Sequence, residues 1–187
     1  MATTADFRNG LVIRWNGELY EIVSFQHVKP GKGGAFVRTR LRRLSDGSIQ
    51  ENTFRAGHTV DIVRLSTREM QYLYSDGNLY YFMDTQSFDQ VPLTREQLGD
   101  QRIGFLQENM LVKVQFDEEG NPVTVELPPV VELRVVETEP GVRGDTVSGG
   151  SKPAKLETGV VVQVPLFVDA GTVIKVDTRT GEYLGRA

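Results

Sequence analysis

The run Glu18-Leu19-Tyr20-Glu21-Ile22-Val23-Ser24-Phe25, the loop Lys29-Pro30-Gly31-Lys32-Gly33-Gly34 and the run from Ala35 to Leu44 together predict a β-hairpin. Glycine removes the bulk of Cβ and permits positive φ, so the loop backbone can turn sharply and enter a narrow space. Pro30 fixes one backbone torsion and limits how far the loop moves. The sequence therefore predicts a thin finger with the amine of Lys32 near its tip. An ordinary hairpin turn with a solvated lysine is the alternative for this segment alone.

A row of arginines follows the loop. Arg38, Arg40 and Arg42 occupy alternate positions, which places them on one face of the returning strand, whereas Arg43 projects from the other face. Aligned arginines can contact successive phosphates or stack on bases, although a solvated outer sheet face has the same pattern. The glycine finger beside them favours structured RNA as the ligand. His27 is a further candidate for contacting a phosphate or base, and a structural polar role is its alternative.

Most of the remaining sequence also predicts strands. The candidate runs are short, rich in β-branched and aromatic residues and bounded by turn residues; they are 79–83, 111–116, 123–127, 130–136, 159–164 and 172–176. Short runs at this spacing favour small barrels. The best helix candidate is Thr94–Leu98, where Thr94 and Gln97 can form a capping box, and we expect it to close a barrel end. The fold class is therefore predicted to be all-β.

The chain divides into three units, 1–64, 65–127 and 128–187. Pro128-Pro129 stiffens the second connection and does not suit a central strand, and the first boundary is placed partly where the charge changes sign. The first unit has 10 Lys and Arg against 6 Asp and Glu, the second 4 against 11, and the third 7 against 8. A basic end on an acidic body predicts an oriented encounter with a polyanion, with the acidic part turned away or toward a basic protein.

The composition excludes several kinds of site. The 187 residues include no cysteine, so disulfides, thiol nucleophiles and cysteine-bound metals are ruled out. The sequence has no P-loop, no HExxH motif and no G-x-S-x-G motif. We predict a protein that is not an enzyme and has no catalytic residue, cofactor or metal site. The lack of a long apolar run and of signal-peptide features predicts a cytoplasmic protein that does not enter membranes.

Two further segments are candidates for binding RNA. The glycine-rich segment from Pro140 to Pro153 contains Arg143 and is predicted to be a loop, and long loops on small barrels often bind ligands. A functionally idle loop would have the same composition. The segment from Asp177 onward carries Tyr183 and Arg186, which could stack on or clamp RNA. A hairpin followed by a frayed tail is the alternative there.

These segments also carry a resemblance to a known family. The chain resembles the bacterial translation elongation factor P family over essentially its whole length. The matching stretches, in order, are His27-Val28-Lys29-Pro30-Gly31-Lys32-Gly33-Gly34-Ala35, Gly141-Val142-Arg143-Gly144-Asp145-Thr146, Lys155-Leu156-Glu157-Thr158-Gly159, Val164-Pro165-Leu166-Phe167 and Asp177-Thr178-Arg179-Thr180-Gly181-Glu182-Tyr183. The resemblance implies an SH3-like barrel of the KOW type followed by two OB folds, arranged in an L shape.

The resemblance also implies a function. The family binds the 70S ribosome between the peptidyl-tRNA (P) site and the exit (E) site, and relieves stalling at consecutive prolines. Lys32 matches the loop-tip residue that a modifying enzyme extends in many members, and the loop points at the CCA end of the peptidyl-tRNA. Ribosomal RNA is therefore an implied partner of the loop, and we expect the protein to act as a monomer.

Other parts of the chain match further contacts of the family. Gly144, Asp145 and Thr146 match a loop that approaches the small subunit and the exit-site codon. Tyr183 and Arg186 match tail residues that meet the D-arm of the tRNA. The middle barrel of the family faces the basic stalk protein of the large subunit, which suits the acidic second unit of this chain.

Three alternatives stay open on the sequence. A paralogue of the same family with a narrower ribosomal role is one, although Lys32 at the tip argues against it. A general RNA-binding OB protein would need aromatic platforms; its candidates, Tyr72, Tyr74, Tyr80 and Tyr81, lie in the acidic segment. An enzyme with Lys32 as its nucleophile would need burial or cationic neighbours around the amine, which a glycine loop does not provide.

Overall fold

The computed structural model describes residues 2–140 and 150–187. These residues form three antiparallel five-stranded sheets that follow one another along the chain, with a 3-10 turn at Thr4–Asp6 and two short α-helices. The all-β prediction is confirmed.

The first sheet contains the predicted hairpin. Its strands, in the spatial order β4-β3-β2-β1-β5, are β1 (Val12–Trp15), β2 (Glu18–Val28), β3 (Phe36–Arg43), β4 (Ile49–Arg55) and β5 (Asp61–Ile62). Strands β2 and β3 pair from Tyr20 opposite Arg43 to Val28 opposite Phe36, so the hairpin prediction is confirmed. Alternate residues of the strands point inward, and they form the core of this unit with residues from the N-terminal segment: Phe7, Leu11, Ile13, Tyr20, Ile22, Val37, Leu41 and Phe54.

The second and third sheets share one topology. The second is β10-β9-β6-β7-β8, with β6 (Ser66–Ser75), β7 (Leu79–Asp84), β8 (Gln90–Thr94), β9 (Leu111–Phe116) and β10 (Pro122–Glu126). The third is β13-β12-β11-β14-β15, with β11 (Val130–Thr138), β12 (Ser151–Leu156), β13 (Val161–Pro165), β14 (Val173–Asp177) and β15 (Tyr183–Arg186). In both, the first and longest strand is central, the next two strands extend the sheet on one side and the last two extend it on the other.

The unit boundaries at 64/65 and 127/128 and the L shape stay predictions. The three sheets span residues 12–62, 66–126 and 130–186.

The predicted helix forms with its capping box. Helix α1 (Arg95–Leu98) begins after Thr94, whose Oγ1 accepts a hydrogen bond from the backbone N–H of Gln97 at 3.2 Å. The Gln97 side chain accepts from the backbone N–H of Thr94 at 2.9 Å. The Gln97 amide also donates to the carbonyl of Pro122 at 2.9 Å. Helix α1 therefore packs against β8 and β10, the two edge strands of the second sheet.

Strand β12 was not predicted by the sequence, and its start corrects the predicted extent of the glycine-rich loop. Ser151 and Pro153, expected in that loop, belong to the strand. The strand alternates, but one inward position is taken by Lys152, whose buried ammonium donates to the backbone carbonyl of Glu139. The sequence did not show the usual alternation of apolar and polar residues here, because a lysine occupies an inward position and a proline lies within the strand. The sequence also missed helix α2 (Asp100–Phe105), which is short and follows directly on Gly99.

The second and third units share a continuous apolar core. One cluster of buried side chains runs from Met70 on β6 to Val176 on β14. Polar contacts cross the same boundary: Thr158 Oγ1 donates to the carbonyl of Gly104 at 2.5 Å, and the Gln101 amide donates to the carbonyl of Thr178 at 3.1 Å. Because a shared core resists relative movement, we describe these two units together as the body.

The first unit meets the body through a different kind of contact. The carboxylate of Glu21, whose side chain is 3% exposed, accepts hydrogen bonds from three donors. Arg42 Nη1 lies 3.1 Å from Oε1, while Arg102 Nη2 and Thr124 Oγ1 each lie 2.9 Å from Oε2. We call these four residues the Glu21 clamp. A small apolar cluster completes the junction; it consists of Val12, Leu44, Val63 and Val123.

Gly99 should be harder to replace than a glycine with positive φ in an open turn. Its φ is +81°, and a Cβ there would lie 2.7 Å from Arg42 Cζ, which cannot withdraw without disturbing its contact with Glu21. Gly77 also has positive φ, at +99°, but nothing lies within 4 Å of its Cβ position. Both alanine variants incur backbone strain of about 1 kcal/mol or more, and the φ of +81° and ψ of +151° at Gly99 lie in a region that is essentially restricted to glycine. We expect the thermal unfolding midpoint to fall further for Gly99→Ala than for Gly77→Ala in circular dichroism. Equal shifts would show that the guanidinium gives way without cost.

Candidate nucleic-acid interface

The loop that connects β2 and β3 stands away from the rest of the chain. The segment from Lys29 to Gly34 is exposed, and a Cβ at Gly31, Gly33 or Gly34 would meet no heavy atom within 4 Å. Gly33 has a φ of +94°, a conformation that favours glycine. Within residues 2–140 and 150–187, no ion pair involves Lys32. The amine at the loop tip is thus accessible to a molecule outside the chain.

The three aligned arginines of β3 separate into two groups. Arg38 and Arg40 are exposed, and Arg38 Cζ lies 6.0 Å from the ring centroid of Phe36. Arg42 is only 14% exposed, because its guanidinium belongs to the Glu21 clamp. Burial lowers the pKa of Arg42, Glu21 opposes this effect, and Arg102 adds to it. A guanidinium held in this way is not available to RNA, so we leave Arg42 out of the proposed interface.

Arg43 projects from the other face of the strand, as predicted. Its Nε lies 2.8 Å from Glu18 Oε2 and 3.3 Å from the hydroxyl of Tyr20, and its Nη1 lies 3.3 Å from Asp46 Oδ2. Two of the four arginines of β3 are therefore paired within the chain, and the two nearer to the loop carry the exposed charge.

His27 lies at the base of the loop and is exposed to solvent. Its ring meets the ring of Phe25 edge to face, with the centroids 5.6 Å apart. In the pairing of β2 with β3, His27 lies opposite Val37, and Arg38 lies opposite Gln26. His27 is therefore paired with the residue next to Arg38 and not with Arg38 itself. Successive side chains of a strand point to opposite faces, so His27 and Arg38 lie on different faces of the hairpin. A flat surface would not contact both, whereas a ligand that wraps around the hairpin would.

The C-terminal candidates lie on an edge strand. Tyr183 and Arg186 belong to β15, which forms a hairpin with β14, so the hairpin of the alternative interpretation is present while the strand continues to Arg186 without a frayed tail. Tyr183 is half-buried against the core of the body, and Arg186 Cζ lies 5.1 Å from the ring centroid of Phe167. Phe167 is exposed, and the sequence did not single it out as a site residue because exposure is decided by the fold. Arg143, Gly144, Asp145 and Thr146 lie outside the described residues.

The tyrosines of the second unit do not form a broad stacking platform. Tyr72 and Tyr80 are buried in the core of the body. Tyr74 and Tyr81 stack on each other with centroids 4.8 Å apart, and the hydroxyl of Tyr81 donates to Asp76 Oδ2 at 3.1 Å. This hydrogen bond raises the pKa of the Tyr81 hydroxyl. With two tyrosines buried and the other two beside a carboxylate, the arrangement does not favour RNA.

The described part of the chain shows no cluster of three or more His, Asp or Glu residues that could hold a metal ion. It also contains no helix with the length and apolar character needed to cross a membrane.

Comparison with known proteins gives three family models that match consecutive parts of the chain. They are the elongation factor P KOW-like domain over residues 3–60, the elongation factor P OB domain over residues 65–125 and the elongation factor P C-terminal domain over residues 131–186. The chain belongs to the elongation factor P family. The resemblance drawn from the sequence is confirmed, and so is a KOW-like domain followed by OB-type domains. As a member of the elongation factor P family, the protein is a translation elongation factor.

Similar proteins named elongation factor P match across the whole chain. The one from Natranaerobius thermophilus is 57% identical over 186 residues, covering 100% of this chain and 98% of the relative. The one from Coprothermobacter proteolyticus is 58% identical over 186 residues, covering 100% and 99%. The one from Moorella thermoacetica is 54% identical over 187 residues, covering 100% of both. Among solved structures, eukaryotic translation initiation factor 5A from Methanococcus jannaschii aligns with a TM-score of 0.45 and 22% identity, covering 66% of this chain and 92% of that one.

The different surroundings of Arg40 and Arg42 predict different effects of the same substitution. Arg42→Gln removes a charged donor from the buried Glu21 carboxylate, which should cost about 1–3 kcal/mol. Arg40→Gln removes an exposed charge from the same strand and should leave the unfolding midpoint almost unchanged. Trp15, the single tryptophan, lies in the first sheet, so its fluorescence during urea unfolding reports this unit. Similar midpoints for the two variants would show that the buried Glu21 carboxylate does not depend on Arg42.

Proposed function

We propose that this elongation factor binds the ribosome between the P and E sites and relieves stalling at consecutive prolines, with the Lys32 loop positioning the CCA end of the peptidyl-tRNA. The observation that carries the proposal is the geometry of the loop. Its tip presents an amine on a glycine-rich backbone segment, beyond the last paired residues of β2 and β3. A slender cationic tip suits a narrow site lined by phosphates, and the family membership supports RNA of the ribosome as that site.

Positioning alone is a sufficient mechanism. Proline is a poor, conformationally restricted nucleophile, and a proline-rich nascent chain tends to displace the acceptor end of the tRNA. Holding reacting groups in the correct geometry can lower a barrier by several kcal/mol without a new catalytic group. In this proposal the ribosomal RNA performs the chemistry, and the protein is not an enzyme and needs no cofactor.

The exposed residues of the hairpin would hold the finger in place. Arg38 and Arg40 contact phosphates on one face of the hairpin, His27 contacts RNA on the other face, and Lys29 adds charge at the base of the loop. These contacts supply affinity, because neutralising phosphates releases counterions. The tip of the loop holds the CCA end in its reactive position. Affinity and rescue are therefore expected to depend on different residues.

The remaining contacts follow the family resemblance. Arg143, Gly144, Asp145 and Thr146 approach the small subunit and the exit-site codon. Tyr183 and Arg186 meet the D-arm of the tRNA, and the exposed edge position of β15 is compatible with this role. The acidic second unit faces the basic stalk protein of the large subunit. The protein acts in the cytoplasm as a monomer.

Lys32 is the proposed target of a modifying enzyme. An exposed amine with glycine on both sides can enter an enzyme active site without steric hindrance from neighbouring side chains. An extension at this position would lengthen the reach of the finger toward the CCA end. Mass spectrometry of the protein purified from its native source tests this part directly, because the mass of the peptide that contains Lys32 would exceed the mass calculated from the sequence.

Lys32→Ala should remove most of the rescue activity while retaining most of the affinity for ribosomes. The measurement is the rate of synthesis through a Pro-Pro-Pro stretch in a reconstituted translation system, with natively purified protein and a proline-free message as the reference. We expect Lys32→Ala to lower the stimulated rate by about tenfold or more, equivalent to ~1.4 kcal/mol of barrier.

Lys29→Ala is the matched control for that experiment, since it removes an exposed lysine of the same loop away from its tip. We expect it to weaken binding modestly and to retain stimulation at saturating protein. Equal stimulation by Lys32→Ala and the unaltered protein would contradict the proposed role of the tip. No stimulation by the unaltered protein would contradict the proposed function as a whole.

A further inference from the structure

We propose that Arg102 is a positioning residue, which acts through the Glu21 clamp to fix the angle between the first unit and the body. Its consequence for proline rescue rests on the proposed function of the Lys32 loop, whereas its consequence for the domain angle does not. The clamp would thereby determine where the loop tip lies when the body is bound.

The two oxygens of Glu21 serve different units. Oε1 accepts from Arg42, which is the register partner of Glu21 within the first sheet. Oε2 accepts from Arg102 on α2 and from Thr124 on β10, both of which belong to the body. One carboxylate therefore joins an internal ion pair of the first unit to two donors of the second.

The clamp restricts the relative orientation of the first unit and the body, which the apolar cluster at the junction does not. The apolar cluster of Val12, Leu44, Val63 and Val123 stabilises contact, but apolar contacts are non-directional and tolerate sliding. Charge-assisted hydrogen bonds favour a donor angle above about 150° and weaken steeply below about 120°, so they restrict orientation in a way that apolar contacts do not. The contact between the second and third units is different, because a large shared core holds it. The angle of the first unit therefore depends mainly on the clamp.

Arg102 is itself held rigidly. Its Nη1 donates to the carbonyl of Leu98 at 3.0 Å, so the guanidinium is fixed to the end of α1 as well as to Glu21. A cleft of ≈ 580 Å³ lies beside the clamp, between the first unit and the body, and Arg8, Glu21, Arg102 and Arg179 are among its lining residues. The cleft gives the first unit room to tilt once the link through Arg102 is lost.

A small tilt would move the loop tip far. From Glu21 to the end of β2 at Val28 the strand extends about 23 Å, at about 3.3 Å per residue, and the loop lies beyond it. A rotation of about 10° at the clamp therefore displaces the tip by about 4 Å or more. Misplacement by about 1 Å can reduce a positioned reaction by about a hundredfold. The clamp is thus well placed to control the action of Lys32.

Arg102→Gln tests the inference because it removes a donor of the body while the Glu21–Arg42 pair inside the first unit stays intact. The chain has no cysteine, so spin labels can be attached at two introduced cysteines alone. Ala56→Cys on the first unit and Gln86→Cys on the body are both at exposed positions. We expect Arg102→Gln to broaden or shift the distance distribution between these labels in double electron–electron resonance.

Two control measurements accompany it. A label pair within the body, Gln86→Cys with Ala170→Cys, should show the same distribution with and without Arg102→Gln. Arg95→Gln removes an arginine from the neighbouring helix. Arg95 forms an ion pair with Asp100, and the two side chains are 51% and 92% exposed, respectively. Because this pair is exposed, the variant should leave the distance between the units unchanged. Trp15 fluorescence verifies that the first unit stays folded in each variant.

A second variant addresses the clamp without changing any charge. Thr124→Val removes the hydroxyl donor to Glu21 and should broaden the same distribution, to a smaller extent than Arg102→Gln. If neither variant changes the distance between the units, the clamp does not set the angle and the inference is wrong, whatever the activity of the protein.

Read-through of the Pro-Pro-Pro stretch separates this inference from the proposed function. We expect Arg102→Gln to reduce the stimulated rate severalfold, although Arg102 contacts the hairpin only at Glu21, far along the strand from the loop. A broadened distribution with unchanged stimulation would overturn the functional part of the inference. A broadened distribution in a protein that never stimulates read-through would overturn the proposed function and leave the role of the clamp in setting the angle supported.

Discussion

The buried carboxylate of Glu21 is the constraint on which the arrangement of the chain depends. An isolated charge at this depth would be strongly destabilising, so it must be satisfied by nearby donors. Three donors satisfy it, and they come from strands and helices on both sides of the junction. Because a buried ion cluster contributes little net stability compared with apolar packing, its value lies in the geometry that it enforces.

The same interaction explains several features that otherwise look unrelated. Position 99 favours glycine both because its φ is positive and because the guanidinium of Arg42 occupies the space of a Cβ. Arg42 is withdrawn from the row of exposed arginines because Glu21 is its partner across the hairpin. The positive charge of the hairpin is therefore concentrated toward the loop, where Arg38, Arg40 and Lys32 are exposed, while the end near the junction is neutralised by internal pairs.

The body contains the large core, whereas the loop around Lys32 extends away from any core. The body has one continuous core across two sheets, and its large buried side chains make it a rigid platform. The loop around Lys32 has almost no contacts of its own and derives its position from the strands that support it. The proposed positioning role needs this combination, since the tip must be narrow and its base must be fixed. The junction between the two parts is accordingly the place where a single polar cluster has the greatest influence.

Much of the local structure could be predicted from the sequence. The β-branched and aromatic residues of β2, the alternation in β3 and the glycines between them determined the hairpin and placed Lys32 at its tip. Thr94 with Gln97 determined the start of α1, because such signals act over a few residues. Strand β12 was hidden by Lys152 and Pro153, and only the fold decided that a lysine would face inward there. Only the tertiary structure decided which arginines are exposed and which hold the units together. The reason is that Glu21 meets Arg102 and Thr124 across 81 and 103 residues of chain, a distance over which no local pattern carries information.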